Sequence, residues 1–309
     1  MGILSIVLVT HNSGTYIEVC LDSIFAQDFK AYEVIVIDNA SEDITKAILK
    51  KKYPDIILKE NMQNYGYSKA LNQGIAMAEG SYILCLNDDI KLDSGFLVNI
   101  HDAIETENDI AAVQPKVIKP DGRIDTTGIY LSALRRFYDI GKGEIDGCKL
   151  TKQRYVFGAC AAAVLYRKEA LDSVRHSKGE YFDEDFFCIA EDVDISWRMQ
   201  KKGWHILYCP EAVCVHTGGV SRSHNDISQY FSMRNRFLMI IKNESLWGFL
   251  RLPLVFLVYD LWRNLYMLLV NPEYFFKSFY EILKLSPKML KKRWMRSPSS
   301  MDTGEELAP

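Results

Sequence analysis

The chain has 309 residues, with 37 Lys and Arg against 40 Asp and Glu, for a formal charge of −3. That length allows one large core plus an appendage, and the charge argues against bulk nucleic-acid binding. Apolar content of 48% is that of an ordinary globular protein. Seven cysteines, an odd number without paired C-x-x-C spacing, fit a reducing compartment better than a disulfide scaffold. Met1-Gly2 runs straight into an apolar stretch, with neither the basic start nor the small-residue cleavage site of a signal peptide, so the main body is expected in the cytoplasm.

Residues 3–9 form a nearly continuous apolar run, the pattern of a strand buried on both faces. An amphipathic helix follows, with Ile17, Leu21, Ile24 and Phe25 at helical spacing. Val34 to Ile37 reads as a second strand, ending in Asp38-Asn39, and the helix after it stops before Pro54. Residues 56–58 give a third strand and 61–66 a turn-rich loop. Ala70, Leu71, Gly74, Ile75 and Ala78 then mark the inner face of another helix. Tyr82 to Leu86 is the fourth strand, and it ends in Asn87-Asp88-Asp89. This alternation predicts an α/β fold on a parallel sheet with right-handed crossovers.

No G-x-G-x-x-G or P-loop follows any strand, which removes the usual signature of a dinucleotide or triphosphate cradle. Short polar residues gather instead at successive strand ends: Thr10, His11 and Asn12, then Asp38 and Asn39, then Asn87, Asp88 and Asp89. Ligands of open α/β sheets bind outside the carboxyl ends of the strands. Acids there can converge on a hard cation and its phosphate ligands. Each residue alone is equally at home in a turn or a cap; the three clusters together favour a site.

From about Ile110 the rhythm changes. Residues 111–117 read as a strand, 124–131 as one extended piece and 135–152 as a mobile loop. The small-residue run Gly158-Ala159-Cys160-Ala161-Ala162-Ala163 admits a close approach, by an acceptor or by a packed helix. Glu191 and Asp192 open a helix ended by Lys201, Lys202 and Gly203; a carboxylate there can accept a proton from a bound hydroxyl. Two strands, 204–208 and 212–216, flank a Cys209-Pro210-Glu211 turn, and His216 falls at a strand end.

Val7-Leu8-Val9-Thr10-His11-Asn12, Val36-Ile37-Asp38-Asn39-Ala40-Ser41, Asn64-Tyr65-Gly66-Tyr67-Ser68, Leu86-Asn87-Asp88-Asp89, Phe182-Asp183-Glu184, Glu191-Asp192-Val193-Asp194, Val215-His216 and Arg234-Asn235 stand here in one order. In these motifs residues 3–242 resemble the family 2 glycosyltransferases, in particular the rhamnosyltransferase-like and galactofuranosyltransferase-like branch. The resemblance implies a Rossmann-like nucleotide-diphospho-sugar transferase domain of the A type. Its mixed central sheet would be flanked by helices and followed by a C-terminal helical appendage. It implies that Thr10, His11 and Asn12 line the nucleotide pocket, that Asp38 contacts the base, and that Asn64 and Gly66 lie beside the nucleotide. Asn87-Asp88-Asp89 takes the place of the family's Asp-x-Asp element, with Asp88 near the ribose and Asp89 on Mg²⁺ or Mn²⁺. Asn at the first position leaves one carboxylate fewer for the metal. Asp192, with Glu191 beside it, matches the catalytic base, and His216 a residue that helps hold the cation.

The expected activity is inverting transfer of a sugar from a nucleotide-diphosphate donor to a hydroxyl of a lipid-linked or polysaccharide acceptor in cell-surface glycan synthesis. dTDP-rhamnose is the leading donor, with UDP-hexose or UDP-galactofuranose as alternatives. A non-catalytic nucleotide-sugar-binding protein is the competing class. A nucleotidyltransferase would need a basic, Gly-rich loop, and residues 10–15 offer no Lys or Arg.

The sequence divides into a catalytic domain at 1–243, a helical region at 244–296 and a disordered tail at 297–309. Residues 246–270 are strongly apolar but contain Arg251, Pro253, Asp260 and Arg263, leaving uncharged stretches too short to span a bilayer. They read as an interfacial helix pair with Trp247, Trp262 and Tyr266 at headgroup level. Lys284, Lys288, Lys291, Lys292, Arg293 and Arg296 add a cluster suited to anionic lipids. The alternative is a helical subdomain packed on the core or in a homo-oligomer interface. The expected location is the cytoplasm, peripheral on the inner face of the cell membrane.

Overall fold

In the computed structural model, which describes residues 4–147, 150–176, 180–218 and 225–294, strand β1 (Leu4–Thr10) is buried along its whole length. A strand apolar on both faces belongs inside a sheet covered on both sides. After helix α1 (Ile17–Phe25) the chain returns in β2 (Tyr32–Asp38), parallel to β1. Helix α2 (Thr45–Lys52) leads to β3 (Ile57–Glu60), parallel to β2. Helix α3 (Tyr67–Met77) then crosses to β4 (Tyr82–Asn87), on the other side of β1.

The second half adds β5 (Ile90–Leu92), α4 (Phe96–Ile104), β6 (Ile110–Ile118), β7 (Ile124–Thr126), β8 (Ile129–Leu131) and β9 (Phe137–Asp139). Next come β10 (Arg154–Tyr155), β11 (Ala163–Arg167), α5 (Lys168–Val174), α6 (Glu191–Gln200) and β12 (His205–His216). The main sheet runs β10-β12-β6-β11-β4-β1-β2-β3, with β5 beside β12 and β7 beside β6. Because β11 lies antiparallel to both β4 and β6, the sheet is mixed. Helices cover both faces: Leu4, Ile6 and Leu8 join one apolar cluster with Ile17 and Ile100, and Val7 and Val9 a second with Leu71 and Ile75.

Several sequence expectations change here. Between Asp93 and Ile110, a stretch without an expected element, α4 buries Phe96, Leu97, Ile100 and Ile104. The extended piece at 124–131 is broken at Gly128, whose φ of 130° ends β7 before β8 begins. The expected loop at 135–152 contains β9, which pairs with β8, and its Asp146 is bridged to Lys116 at 3.1 Å. The two strands around Pro210 are one, β12, with a register shift between Cys209 and Val213; a bulge is where a strand tolerates proline. The six described cysteines are all free thiols.

At the C-terminal end lie α7 (Asn225–Asn243), α8 (Leu246–Val255), a π-helical turn (Phe256–Asp260), α9 (Leu261–Val270) and α10 (Pro272–Trp294). Residues 246–270 are therefore one helix interrupted by a π turn rather than a pair, and Leu252–Val270 is long and apolar enough by length and composition to cross a membrane. Pro253 lacks an N–H and so disturbs the ladder just before the π turn. Asp260, which ends that turn, is buried against Arg236 at 2.7 Å.

The inner face of α10 is claimed by the protein. Lys292 meets Asp183 and Asp185, Lys288 meets Asp185 at 2.6 Å, and Arg293 donates to the Ile241 carbonyl. Three members of the expected lipid-facing basic cluster are thus engaged inside the chain. Apolar side chains are exposed on all three helices: Trp247 and Leu254 of α8, Trp262, Tyr266 and Leu269 of α9, and Phe276 and Tyr280 of α10 face solvent. The tail expected to be disordered from residue 297, and Arg296, lie outside the described residues.

Candidate active site

Thr10 and Asp38 are register partners at the ends of β1 and β2, and Val9 is the partner of Asn87 at the end of β4. Three adjacent parallel strands therefore release their polar residues at one edge of the sheet. The Thr10 carbonyl accepts from Asn39 N–H at 2.8 Å. Asp88 Oδ2 accepts from His11 N–H at 3.3 Å and from the Ser13 hydroxyl, which fastens the β4 loop to the β1 loop. Burial pushes the Asp88 carboxyl up to about 6, against the pull of the Ser13 hydroxyl. Asn12 takes a left-handed φ of 55°; its N–H donates to Ser41 Oγ at 2.9 Å and its Oδ1 accepts from Glu42 N–H.

Asp38 is fully buried, and its Oδ2 accepts from Ser41 N–H at 3.2 Å. Its Oδ1 is buried without a hydrogen-bond partner among the described residues. Asn39 Nδ2 donates to Asn64 Oδ1 at 2.9 Å, and the same oxygen accepts from Gly66 N–H. Gly66 needs its lack of a side chain: φ is 84°, and a Cβ would stand 2.5 Å from the Phe187 ring.

Asp89 and His216 meet across the β5–β12 ladder, with Asp89 Oδ1 and His216 Nε2 3.3 Å apart. On its other side His216 Nδ1 lies 2.7 Å from Asp125 Oδ2. Burial favours the neutral ring, but the carboxylates of Asp125 and Asp89 prevail and raise it to about 9. Asp125, at the centre of β7, escaped the sequence reading; an isolated Asp in an extended segment carries no local signal. Among the described residues no three His, Cys, Asp or Glu side chains converge as a metal site. A carboxylate oxygen and, once the ring gives up its proton to an arriving cation, an imidazole nitrogen fixed by a second carboxylate would suit Mn²⁺ or Mg²⁺ with phosphate and water as the remaining ligands.

The second acidic cluster is tied to the first through the small-residue run. Ala161 N–H donates to Asp192 Oδ2 at 3.3 Å, and the Ala162 carbonyl accepts from Asn87 N–H at 2.9 Å. Two consecutive alanines thus separate the α6 acids from the β4 acids. The run is small because α6 packs on it: a Cβ at Gly158 would lie 2.8 Å from Ser196 Oγ. The packed-helix alternative describes Gly158 and Ala159, while Ala161 faces the acid.

Glu191 is buried, with Oε2 lacking a hydrogen-bond partner among the described residues. Burial and the neighbouring Asp192 charge raise its carboxyl to about 8. Burial also raises Asp192, opposed by the N–H groups of Ala161 and Val193, to about 6. Of the two, Glu191 is the more strongly held in its protonated form and Asp192 the readier to ionise. Two adjacent carboxyl groups pushed apart in this way take different roles. The segment delivering them is strained: Phe187, Ile189 and Ala190 have φ of 66°, 67° and 71°. Such residues cost of order 1–3 kcal/mol each and persist only where the surroundings hold them.

Comparison with known proteins follows the same lines. The chain is 26% identical over 219 residues to the poly-beta-1,6-N-acetyl-D-glucosamine synthase of Staphylococcus aureus, covering 68% of this chain and 49% of that protein, so it spans about half the length of this relative. It is 25% identical over 278 residues to the N-acetylglucosaminyl-diphospho-decaprenol L-rhamnosyltransferase of Mycobacterium tuberculosis, covering 82% and 88% of the two chains. A mannosyltransferase from Pyrobaculum calidifontis, solved with GDP-Man and Mn²⁺, shares the fold with a TM-score of 0.56 at 17% identity, over 96% of this chain and 85% of that one. The family model for glycosyl transferase family 2 matches residues 5–175, most of the sheet described above, and the chain belongs to that family.

Proposed function

We propose that this protein is an inverting, divalent-metal-dependent glycosyltransferase that moves a sugar from a nucleotide-diphosphate donor to an acceptor hydroxyl. One observation carries the reading: the acid pair opening α6 is joined, through Ala161 and Ala162, to the strand end bearing Asn87, Asp88 and Asp89. Thr10, His11, Asn12, Asn64 and Gly66 surround the nucleotide, and the unmatched Oδ1 of Asp38 is an acceptor for a base N–H. Asp88 serves the ribose, and Asp89 with His216 holds the cation. When bound, Mn²⁺ or Mg²⁺ neutralises charge on the leaving diphosphate. Asp192, the ionised acid of the pair, takes the proton of the acceptor hydroxyl as that oxygen attacks the anomeric carbon. Glu191, protonated beside it, avoids a second buried charge.

Rhamnose from dTDP-rhamnose is the leading donor, supported by the mycobacterial relative, most of whose length this chain covers. N-acetylglucosamine from UDP is the alternative, since the staphylococcal relative is named for that sugar. The acceptor is a lipid-linked or polysaccharide glycan of the cell surface. The exposed apolar face of the C-terminal helices rests on the membrane at its cytoplasmic side, where the acceptor lipid would lie.

Two experiments test this. A thermal shift with dTDP or UDP plus Mn²⁺, reversed by EDTA, reports the donor site, and Asp192→Asn should keep that shift while losing 10²–10⁴ in turnover, the usual scale for a general base. Full turnover in Asp192→Asn would refute the assignment. For the membrane, Trp262→Glu with Leu269→Glu, at positions 66% and 82% exposed, should abolish co-sedimentation with anionic vesicles without lowering Tm. Unchanged partitioning would rule the docking face out.

A further inference from the structure

The approach to Glu191 and Asp192 is built against conformational preference. A 3₁₀ turn (Glu184–Phe186) leads into Phe187 at φ 66° and ψ −63°, a γ-turn closed by Cys188 N–H on the Phe186 carbonyl at 2.8 Å. Ile189 and Ala190 follow in left-handed conformations, and α6 begins at the next residue. None of these residues is glycine, so the path must be held from outside. The chief holder is Asn235, fully buried in α7. Its Nδ2 lies 3.0 Å from the Phe186 carbonyl, 2.7 Å from that of Cys188 and 2.7 Å from that of Ile189. Its Oδ1 is buried without a partner among the described residues, so every hydrogen bond of this side chain goes to the strained loop. Arg234 beside it donates to the Asp185 carbonyl, and Phe231, one turn earlier, stacks on Phe187 with ring centroids 5.3 Å apart.

We infer that Asn235 is a positioning residue for the transfer step: its two amide N–H groups, shared among the carbonyls of Phe186, Cys188 and Ile189, fix the left-handed path that aims Asp192. This rests on Asp192 being the base, as proposed above. The requirement is for a donor. An aspartate of the same shape would set a carboxylate against three carbonyl oxygens and release the loop. Asn235 holds the carbonyls of Phe186, Cys188 and Ile189, and the donor pocket meets that loop at Gly66, which packs on the Phe187 ring. The effect should therefore fall far more on kcat than on donor binding.

The test uses the full chain with dTDP-rhamnose and UDP-N-acetylglucosamine as donors and Mn²⁺ as the cation. Asn235→Asp and Asn235→Ala are expected to lower kcat by about 10–100-fold, the scale of an ångström's misplacement of a reacting group. Donor KM and the affinity for dTDP or UDP with Mn²⁺ should stay within about threefold. Amide exchange at residues 187–192 should rise while the β1–β2 core keeps its protection. Asn235→Ser, which keeps one donor, should fall between wild type and Asn235→Ala. Adding Ala190→Gly to Asn235→Ala should recover part of kcat, because glycine accepts φ 71° without strain. Wild-type kcat in a folded Asn235→Asp overturns the inference. So does an equal loss of kcat and nucleotide affinity, or failure of all the Asn235 variants to fold, each of which marks a purely structural residue. Asp192→Asn run alongside separates the two claims. Full turnover there removes the base itself, whereas its loss with normal Asn235 variants overturns only the positioning role.

Discussion

Replacing Glu191 by Gln tests the electrostatics of the acid pair directly. Glu191 is raised from an ordinary 4.5 to about 8, by burial first and by Asp192 second. Its folded-state pKa lies above the unfolded one, so the folded protein holds the proton more tightly across that interval. The stability this contributes is complete below pH 4.5 and is lost as the pH rises through 8. At about 1.4 kcal/mol per tenfold in proton affinity, the whole interval amounts to at most about 5 kcal/mol. Gln mimics the protonated acid. At pH 5.5 the variant and wild type should melt together within a few degrees. At pH 9 the variant should melt higher by roughly 10 °C, taking about 2–4 °C per kcal/mol for a domain of this size. The measurement is differential scanning calorimetry of both proteins at pH 5.5, 7 and 9. A Tm difference that does not grow with pH would refute the argument. Donor turnover at pH 7 should survive within a few-fold, since Glu191 is the acid of the pair more strongly held in its protonated form. A loss comparable to that of Asp192→Asn would transfer the base role to Glu191.

Three further outcomes are expected. Donor turnover should rise along a limb near pH 6 that belongs to the acid pair as a unit, as Asp192 ionises; a flat profile between pH 5 and 7.5 would contradict this. Asp125→Asn should weaken Mn²⁺ binding about 10–100-fold, the usual cost of losing a carboxylate behind a metal-bound His. Titration calorimetry in the presence of UDP reads this directly, and unchanged affinity would exclude Asp125 from the site. Asp194→Asn should cost about 3–5 kcal/mol, because it strips charge from a buried carboxylate contacted by Arg198 at 2.9 Å, Lys242 at 2.9 Å and Asn243 at 2.7 Å. Urea unfolding measures it, and a loss under 1 kcal/mol would show that the network contributes little.

The first half of the chain was legible because its signals are local. Apolar runs of strand length, helical spacing in α1 and α3 and polar strand ends all lie within windows of ten residues, and parallel topology followed from their alternation. The acids at 88, 89, 191 and 192 were picked out as pairs, yet their proximity was not legible. It depends on β11 inserting antiparallel between β4 and β6, which brings Ala161 and Ala162 to the β4 end. Helix α4 shows helical spacing in Phe96, Leu97, Ile100 and Ile104, a local signal of the same kind. Asp125 was out of reach, since its meaning lies in a histidine 91 residues away.

The C-terminal helices expose the limit of pattern reading most clearly. An amphipathic sequence announces that a helix has an apolar face and a charged one, but not which of the two the protein keeps. In α10 Lys292 is buried against Asp183 and Asp185, and Lys288 reaches Asp185, partners more than 100 residues away, while Lys277, Lys284 and Lys291 stay exposed and much of the apolar face also turns outward. That arrangement follows from the site. Asp183 caps the 3₁₀ turn before the γ-turn at Phe187 and Asp185 lies within it, and the charges of Lys242 and Lys292 hold the carboxyl of Asp183 well below the ordinary range despite its burial. Removing residues 245–296 would therefore leave buried carboxylates without Lys292 and loosen the same loop that Asn235 secures. A truncated chain that lost turnover would say nothing about membranes, whereas single charges placed on the exposed face at Trp262 and Leu269 leave the inward lysines in place.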